Sequence, residues 1–176
     1  MVFWDEFGFS FQEKLAHTWA RKGKRPVFKR ITCDRRALST AVALTLSGKI
    51  YKRHFEGAIR SEQTIQTLQH LQRHVSGKII LIWDRARIHT SKKVKEYLAK
   101  HPEIQVELLP AYAPELNPEE YCHGNVKQHL RNARPSNKQE IRSMLDRGFA
   151  RLRKRPDLLL SFFHAAKVPV RQLRLR

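Results

Sequence analysis

A chain of 176 residues fits one domain of ordinary size and can bury a real core. Its formal charge of +19, from 35 Lys and Arg against 16 Asp and Glu, with a pI of about 10.6, points to a polyanionic partner, nucleic acid ahead of an anionic membrane surface. Two isolated cysteines, Cys33 and Cys122, supply neither a disulfide framework nor a zinc module; no apolar run nears the roughly 20 residues of a spanning helix, and Met1 opens directly on a strand, so a soluble cytoplasmic protein without a membrane partner is expected.

In chain order, Val2 to Trp4 reads as the first strand and Phe7-Gly8-Phe9 as its exit. Gln12 to Ala20 gives a mixed signal, and Arg21-Lys22-Gly23-Lys24-Arg25-Pro26 is a basic turn punctuated by Gly and Pro. Lys22, Lys24 and Arg25 there are candidates for phosphate contact, against the plain alternative of a solvated loop. Leu38 to Leu46 reads as a strand, Ser47-Gly48-Lys49 as a tight turn and Ile50 to Phe55 as the antiparallel partner, which makes the first three strands a meander. Ile65, Leu68, Leu71 and Val75 recur at helical spacing behind Ser61 as cap, with Thr64 in place of the capping-box acid.

Lys78-Ile79-Ile80-Leu81-Ile82-Trp83 is the β-branched run of a strand buried on both faces, ending at Asp84. Thr90 or Ser91 caps a helix through Lys100 with Val94, Tyr97 and Leu98 as its buried stripe, and Ile104 to Leu109 is the next strand. A Pro-rich loop then leads to a helix with Asn117 as cap, Pro118 at its first position, and Glu119 and Glu120 in the first turn, where the helix dipole favours negative charge. Three residues past the cap, Glu120 also fits a capping box reaching back to the Asn117 amide, a reading that explains the spacing but nothing beyond this helix.

The segment from Tyr121 onward carries 14 Lys and Arg against 3 acids. Within it a helix over Lys138 to Arg153 puts Ile141, Leu145, Phe149 and Leu152 on one face and basic residues elsewhere, a pattern open to a solvated surface or a DNA backbone contact. A compact domain over 1–135 with a basic helical extension over 136–176 packed on it is the expected organisation. No internal repeat, Ser-His-Asp or Cys-His constellation, or phosphate-cradling Gly-rich loop is present in the sequence.

Two apolar strands each end in Trp-Asp, and an acid at the end of a core strand is costly unless paired or bound to metal. The blocks Trp4-Asp5-Glu6-Phe7-Gly8-Phe9, Trp83-Asp84-Arg85-Ala86-Arg87-Ile88-His89-Thr90 and Leu109-Pro110-Ala111-Tyr112-Ala113-Pro114-Glu115-Leu116-Asn117-Pro118-Glu119-Glu120 resemble the three signature blocks of the DDE transposases. They are most similar to the bacterial insertion-sequence branch related to mariner-type elements. The resemblance runs from Val2 to about Arg134, with the blocks in the family's order. It implies an α/β, ribonuclease H-like fold, a mixed five-stranded sheet flanked by helices, and the strand-helix order read from the residues agrees.

The resemblance also implies a chemistry. Asp5, Asp84 and Glu120 match the family's three carboxylates, with 35 residues between the second and the third. Three acids suit two Mg2+ or Mn2+ ions, which prefer oxygen ligands and would serve DNA nicking at an element end followed by strand transfer. Glu6 and Glu119 adjoin two of these acids; neighbours on a strand face opposite ways, and neighbours on a helix diverge by about 100 degrees, so one of each pair faces the metals. Glu119 stands where the family is commonly apolar, which leaves the third acid ambiguous by one residue. His89 matches a recurrent histidine, to contact DNA or order the site. His123 and Lys127, on roughly the face of Glu120, are candidate phosphate contacts, as are Arg85 and Arg87; Arg85 departs from a frequent Asn.

The expected partners are DNA, as transposon ends and target, a second copy of the chain, and a separate N-terminal helix-turn-helix segment, because relatives carry one and the first strand here begins at residue 2. The expected location is the bacterial cytoplasm at the nucleoid. The alternatives are a ribonuclease H-like nuclease without strand transfer and a noncatalytic DNA-binding remnant that regulates transposition.

Overall fold

Alternating apolar residues dictate which way each strand of the sheet faces. The computed structural model describes residues 1–10, 17–27, 38–133 and 135–171. In chain order these form β1 (Val2–Phe9), β2 (Leu38–Thr45), β3 (Ile50–Glu56), α1 (Ser61–His74), β4 (Ile79–Trp83), α2 (Lys92–Ala99), β5 (Ile104–Leu108), α3 (Pro118–His129), α4 (Lys138–Arg153) and α5 (Pro156–Ala165). The sheet order is β3-β2-β1-β4-β5, with β1, β2 and β3 antiparallel and β4 and β5 parallel to β1. This is the mixed, helix-flanked sheet that the sequence implies.

Phe3, Phe7 and Phe9 of β1 join Val42 and Leu44 of β2 against α3, α4 and α5. Val2 and Trp4 point the other way, into a second core with Leu81 and Trp83 of β4, Leu68 and Leu71 of α1 and Val94 of α2. The period-2 alternation therefore sends Asp5 toward α3 and Glu6 toward α2. Crossing from β3 through α1 to β4 carries the chain to the far side of β1, so that the end of β4 lies beside the middle of β1.

Three expectations change. β1 does not end at Asp5: it pairs with β2 from Val2↔Thr45 to Phe9↔Leu38, which gives Phe7, Gly8 and Phe9 backbone partners and leaves Asp5 in mid-strand. The cap of α1 is Arg60, not Ser61, because Gln63 accepts from the Arg60 amide at 3.0 Å, while Ser61 Oγ donates to Ser91 Oγ at 2.9 Å. The extension holds a further helix, α5, opened by Pro156 and burying Leu159, Phe162 and Phe163 in the α3–α4 core. α3 and α4 approach closely at Gly148, where a Cβ would meet Val126 Cγ1 at 2.9 Å.

Lys22, Lys24 and Arg25 lie in an exposed loop, with Gly23 at a φ of 78°. Cys33 and much of the mixed-signal stretch fall outside the described residues, while Cys122 is buried. Among the described residues no helix is long and apolar enough to cross a membrane.

Candidate active site

Asp5, Asp84 and Glu120 come from three separate stretches and line one cleft of about 370 Å³, together with Arg85, Asn117 and the loop 109–114. Asp5 projects from the middle of β1, Asp84 follows β4, and Glu120 stands in the first turn of α3. Asn117 joins α3 to β1: its Oδ1 accepts from the Glu119 amide at 3.1 Å, and its Nδ2 donates to the Trp4 carbonyl at 3.2 Å and Asp5 Oδ2 at 3.4 Å. The cap residue thus sets both the start of the helix and its seat beside the acid. The capping-box expectation fails, because the Glu120 carboxylate turns to His123 Nε2 at 2.8 Å instead of the Asn117 amide.

Each cleft acid other than Asp5 is held by a buried histidine. His89 lies flat on Trp83, with centroids 4.2 Å apart and planes 2° apart; its Nδ1 meets Asp84 Oδ1 at 2.8 Å and its Nε2 meets Glu6 Oε1 at 2.9 Å. Glu6 also accepts from Trp4 Nε1 at 2.6 Å, so it faces away from the cleft into the α2 side. On the other side, His123 packs against Phe7, meets Glu119 Oε2 through Nδ1 at 2.9 Å, and lies 4.0 Å from Asp5 Oδ2. Both histidines are buried with both ring nitrogens engaged, so neither presents a free nitrogen to a DNA phosphate in this arrangement.

Protonation follows from this packing. Burial, then the charges of Glu119 and Glu120, push Asp5 up to about 8, against a lowering pull from His123. Burial alone would depress both histidines, but hydrogen bonds to Asp84 and Glu6 hold His89 up at about 9, and those to Glu119 and Glu120 hold His123 at about 10. The hydrogen bond from His89 keeps Asp84 below the usual carboxylate range, and that from His123 does the same for Glu120. Glu119, at 0% exposure, is raised by burial, and its Oε1 has no hydrogen-bond partner among the described residues.

Asp5, Glu119 and His123 each place a ligand atom within 4.8 Å of the others. Two of that tight group, Glu119 and His123, are buried and do not line the cleft, and the histidine is already spent on carboxylates. A hard cation that keeps several waters needs the open side, where Asp5, Asp84 and Glu120 offer oxygen atoms and a crowded Asp5 gains most from positive charge. The cleft residues therefore fit Mg2+ or Mn2+.

Of the other residues singled out from sequence, Arg85 lines the cleft and its Nε approaches the Leu109 carbonyl at 3.4 Å. Arg87 is exposed beside it, and Lys127 lies over the Phe7 ring at 5.2 Å. Lys22, Lys24 and Arg25 do not line the cleft. Sequence reasoning missed the partnering of Glu6 and Glu119 with the two histidines, and the cross-link made by Asn117. The available signal was an acid pair at each site combined with a histidine five residues after Asp84 and three after Glu120.

A ribonuclease H-like domain with an acidic cleft where β4 ends beside the middle of β1 is thereby defined. The chain belongs to the DDE superfamily endonucleases, whose family model matches residues 1–142. Among solved structures, the Mos1 transposase paired-end complex with left transposon end is similar at a TM-score of 0.67 and 20% identity, over 98% of this chain and 56% of that one. The Mos1 mariner paired-end complex with Mn gives 0.68 and 21%, over 94% and 53%. The catalytic domain of Mos1 mariner transposase gives 0.63 and 18%, over 94% of this chain and 81% of that one. The chain thus spans little more than half the length of the transposase chains in the paired-end complexes. A search of curated proteins found no match.

Proposed function

We propose that this chain is the catalytic domain of a DNA transposase, with Asp5, Asp84 and Glu120 as ligands for two Mg2+ or Mn2+ ions. The observation that carries the reading is the convergence of these three acids, far apart in sequence, on one open cleft. Family membership supports it, and so do the printed descriptions of the similar Mos1 structures, which contain transposon-end DNA, Mn or Mg.

Bound divalent ions would supply an activated attacking oxygen and neutralise the leaving oxygen of an in-line displacement at phosphorus. The chain's own residues do the positioning. His89 holds Asp84 and His123 holds Glu120, each anchored by an acid that faces away from the scissile strand. Arg85 lies where a nonbridging phosphate oxygen would pass; Arg87, Lys127, Lys22, Lys24 and Arg25 are backbone contacts farther out. The basic extension over 136–176 is a further DNA-facing surface on the domain over 1–135. In the cell the chain acts at the bacterial nucleoid, pairs with a second copy to hold two ends, and relies on an N-terminal helix-turn-helix segment for end recognition.

The test is nicking of supercoiled DNA with Mn2+ or Mg2+, followed by joining of a labelled end to a target. Wild type should nick and join, and Asp84→Asn should lose at least about a hundredfold of both. Nicking without joining identifies a nuclease, and salt-sensitive DNA binding that survives loss of all three acids without any nicking identifies a noncatalytic binder.

A further inference from the structure

Tyr112 stands on the lip of the cleft that Asp5, Asp84 and Glu120 line, with 102% of its surface exposed. Its φ is 57°, a left-handed backbone that a bulky aromatic residue rarely adopts. The loop around it is held at both ends. The Leu109 amide donates to the Trp83 carbonyl at 2.9 Å, Arg85 Nε approaches the Leu109 carbonyl, and Tyr121 Oη donates to the Glu115 carbonyl at 3.2 Å. Pro110 and Pro114 restrict the residues before them, and Ala113 accordingly lies outside the helical region, with φ −121° and ψ 59°. A strained backbone that turns a flat aromatic fully into water, beside three carboxylates, gains nothing for the fold.

We propose that Tyr112 is a stacking platform for a nucleobase left unpaired beside the phosphodiester seated at Asp5, Asp84 and Glu120. The proposal rests on the phosphodiester reading of the cleft and names a second ligand class there, a purine or pyrimidine ring. Asp5 is largely buried at the floor of the cleft, so a strand whose phosphate reaches it parts locally from its complement. The base exposed by that parting needs a new face to stack on. Every base has a π-face, so the contact tolerates sequence and favours opened DNA over paired DNA. Trp19 is equally exposed, but it does not line the cleft.

The experiment uses a forked duplex with 2-aminopurine at its first unpaired position and a fully paired duplex as control, with Mn2+ present. Wild type should quench 2-aminopurine on the fork and bind the fork more tightly than the paired control. Tyr112→Ala should lose the quenching and weaken fork binding by roughly fivefold to a hundredfold, with little change on the paired duplex. Tyr112→Phe and Tyr112→Trp should restore both, whereas Tyr112→Gly, which relieves the backbone without restoring a ring, should behave as Tyr112→Ala. Mn2+ affinity should match wild type in all four variants and none should lower the thermal midpoint, which separates a lost platform from a damaged fold. Quenching absent in wild type or undiminished in Tyr112→Ala overturns the proposal. Quenching that follows the ring while Mn2+-dependent nicking is absent supports the platform and counts against the phosphodiester chemistry alone.

Discussion

Two histidine clamps flank the cleft, and they differ in what lies behind them. Around His89, the anchoring Glu6 keeps a partly exposed side chain and a second donor, Trp4, and the imidazole rests on the flat face of Trp83. Around His123, the anchoring Glu119 is wholly buried, with one oxygen unpartnered, and the clamp hangs on a helix seated against α4. Both clamps tie a cleft acid to an acid that does not line the cleft. The lesson is that Glu6 and Glu119, which in sequence look like alternates to Asp5 and Glu120, partner the buried histidines that hold Asp84 and Glu120. The α3 clamp has the less forgiving surroundings.

The largest expected effect follows from that asymmetry. Glu119→Ala strands the His123 cation without its buried partner and should cost about 3 to 5 kcal/mol in urea unfolding, whereas Glu6→Ala should cost about 1 to 3 kcal/mol. Equal costs would remove the distinction. Metal affinity should respond more evenly: His89→Gln and His123→Gln should each weaken Mn2+ binding by about 10- to 100-fold, because each loosens the orientation of one acid.

The pH dependence sharpens the same contrast. His89, raised from 6.5 to about 9, gives stability that is fully present below pH 6.5 and lost as pH rises through 9; His123, raised from 6.5 to about 10, does so up to pH 10. Asp5, raised from 3.8 to about 8, also binds its proton more tightly in the fold, so metal-free stability falls as pH rises across that window. Thermal midpoints without metal should therefore fall from pH 6.5 to 9, with a shallower fall in His89→Gln. Because a cation displaces the Asp5 proton, Mn2+ affinity should rise by up to about tenfold per pH unit until about pH 8.

A smaller effect is local to α3. Gly148→Ala forces a Cβ onto Val126 Cγ1 and should cost about 1 to 3 kcal/mol, largely recovered by Val126→Ala in the double mutant. The smallest is electrostatic: each of Lys22, Lys24 and Arg25 that contacts a phosphate, changed to Gln, should reduce the salt slope of DNA binding by about 0.9 without touching Mn2+ affinity.

Much of this was legible beforehand. β-branched runs, turn residues and helical spacing located every strand and the first four helices, since those patterns report burial directly. The opposite faces of Asp5 and Glu6 followed from strand alternation, whereas the sequence left open by one residue which of Glu119 and Glu120 turns to the cleft. What stayed hidden depends on contacts distant in sequence. β1 extends past Asp5 because β2 pairs with it, and Asn117 reaches Trp4 and Asp5 across more than a hundred residues. His89 and His123 offered a hydrogen-bonding residue at a plausible spacing, but only the packing of Trp83 and Phe7 shows them engaged at both nitrogens. α5 follows Pro156 with Leu159, Phe162 and Phe163 at helical spacing, a stripe obscured by the basic residues before it.

The most direct test of a divalent-ion site at Asp5, Asp84 and Glu120 is calorimetric Mn2+ titration of wild type and Asp84→Ala, at a salt concentration that keeps so basic a chain in solution. Wild type should bind saturably, with proton release near neutral pH, and Asp84→Ala should lose that binding while its fold remains intact by circular dichroism. Undiminished affinity in Asp84→Ala, or no binding by wild type even with DNA present, would contradict that site.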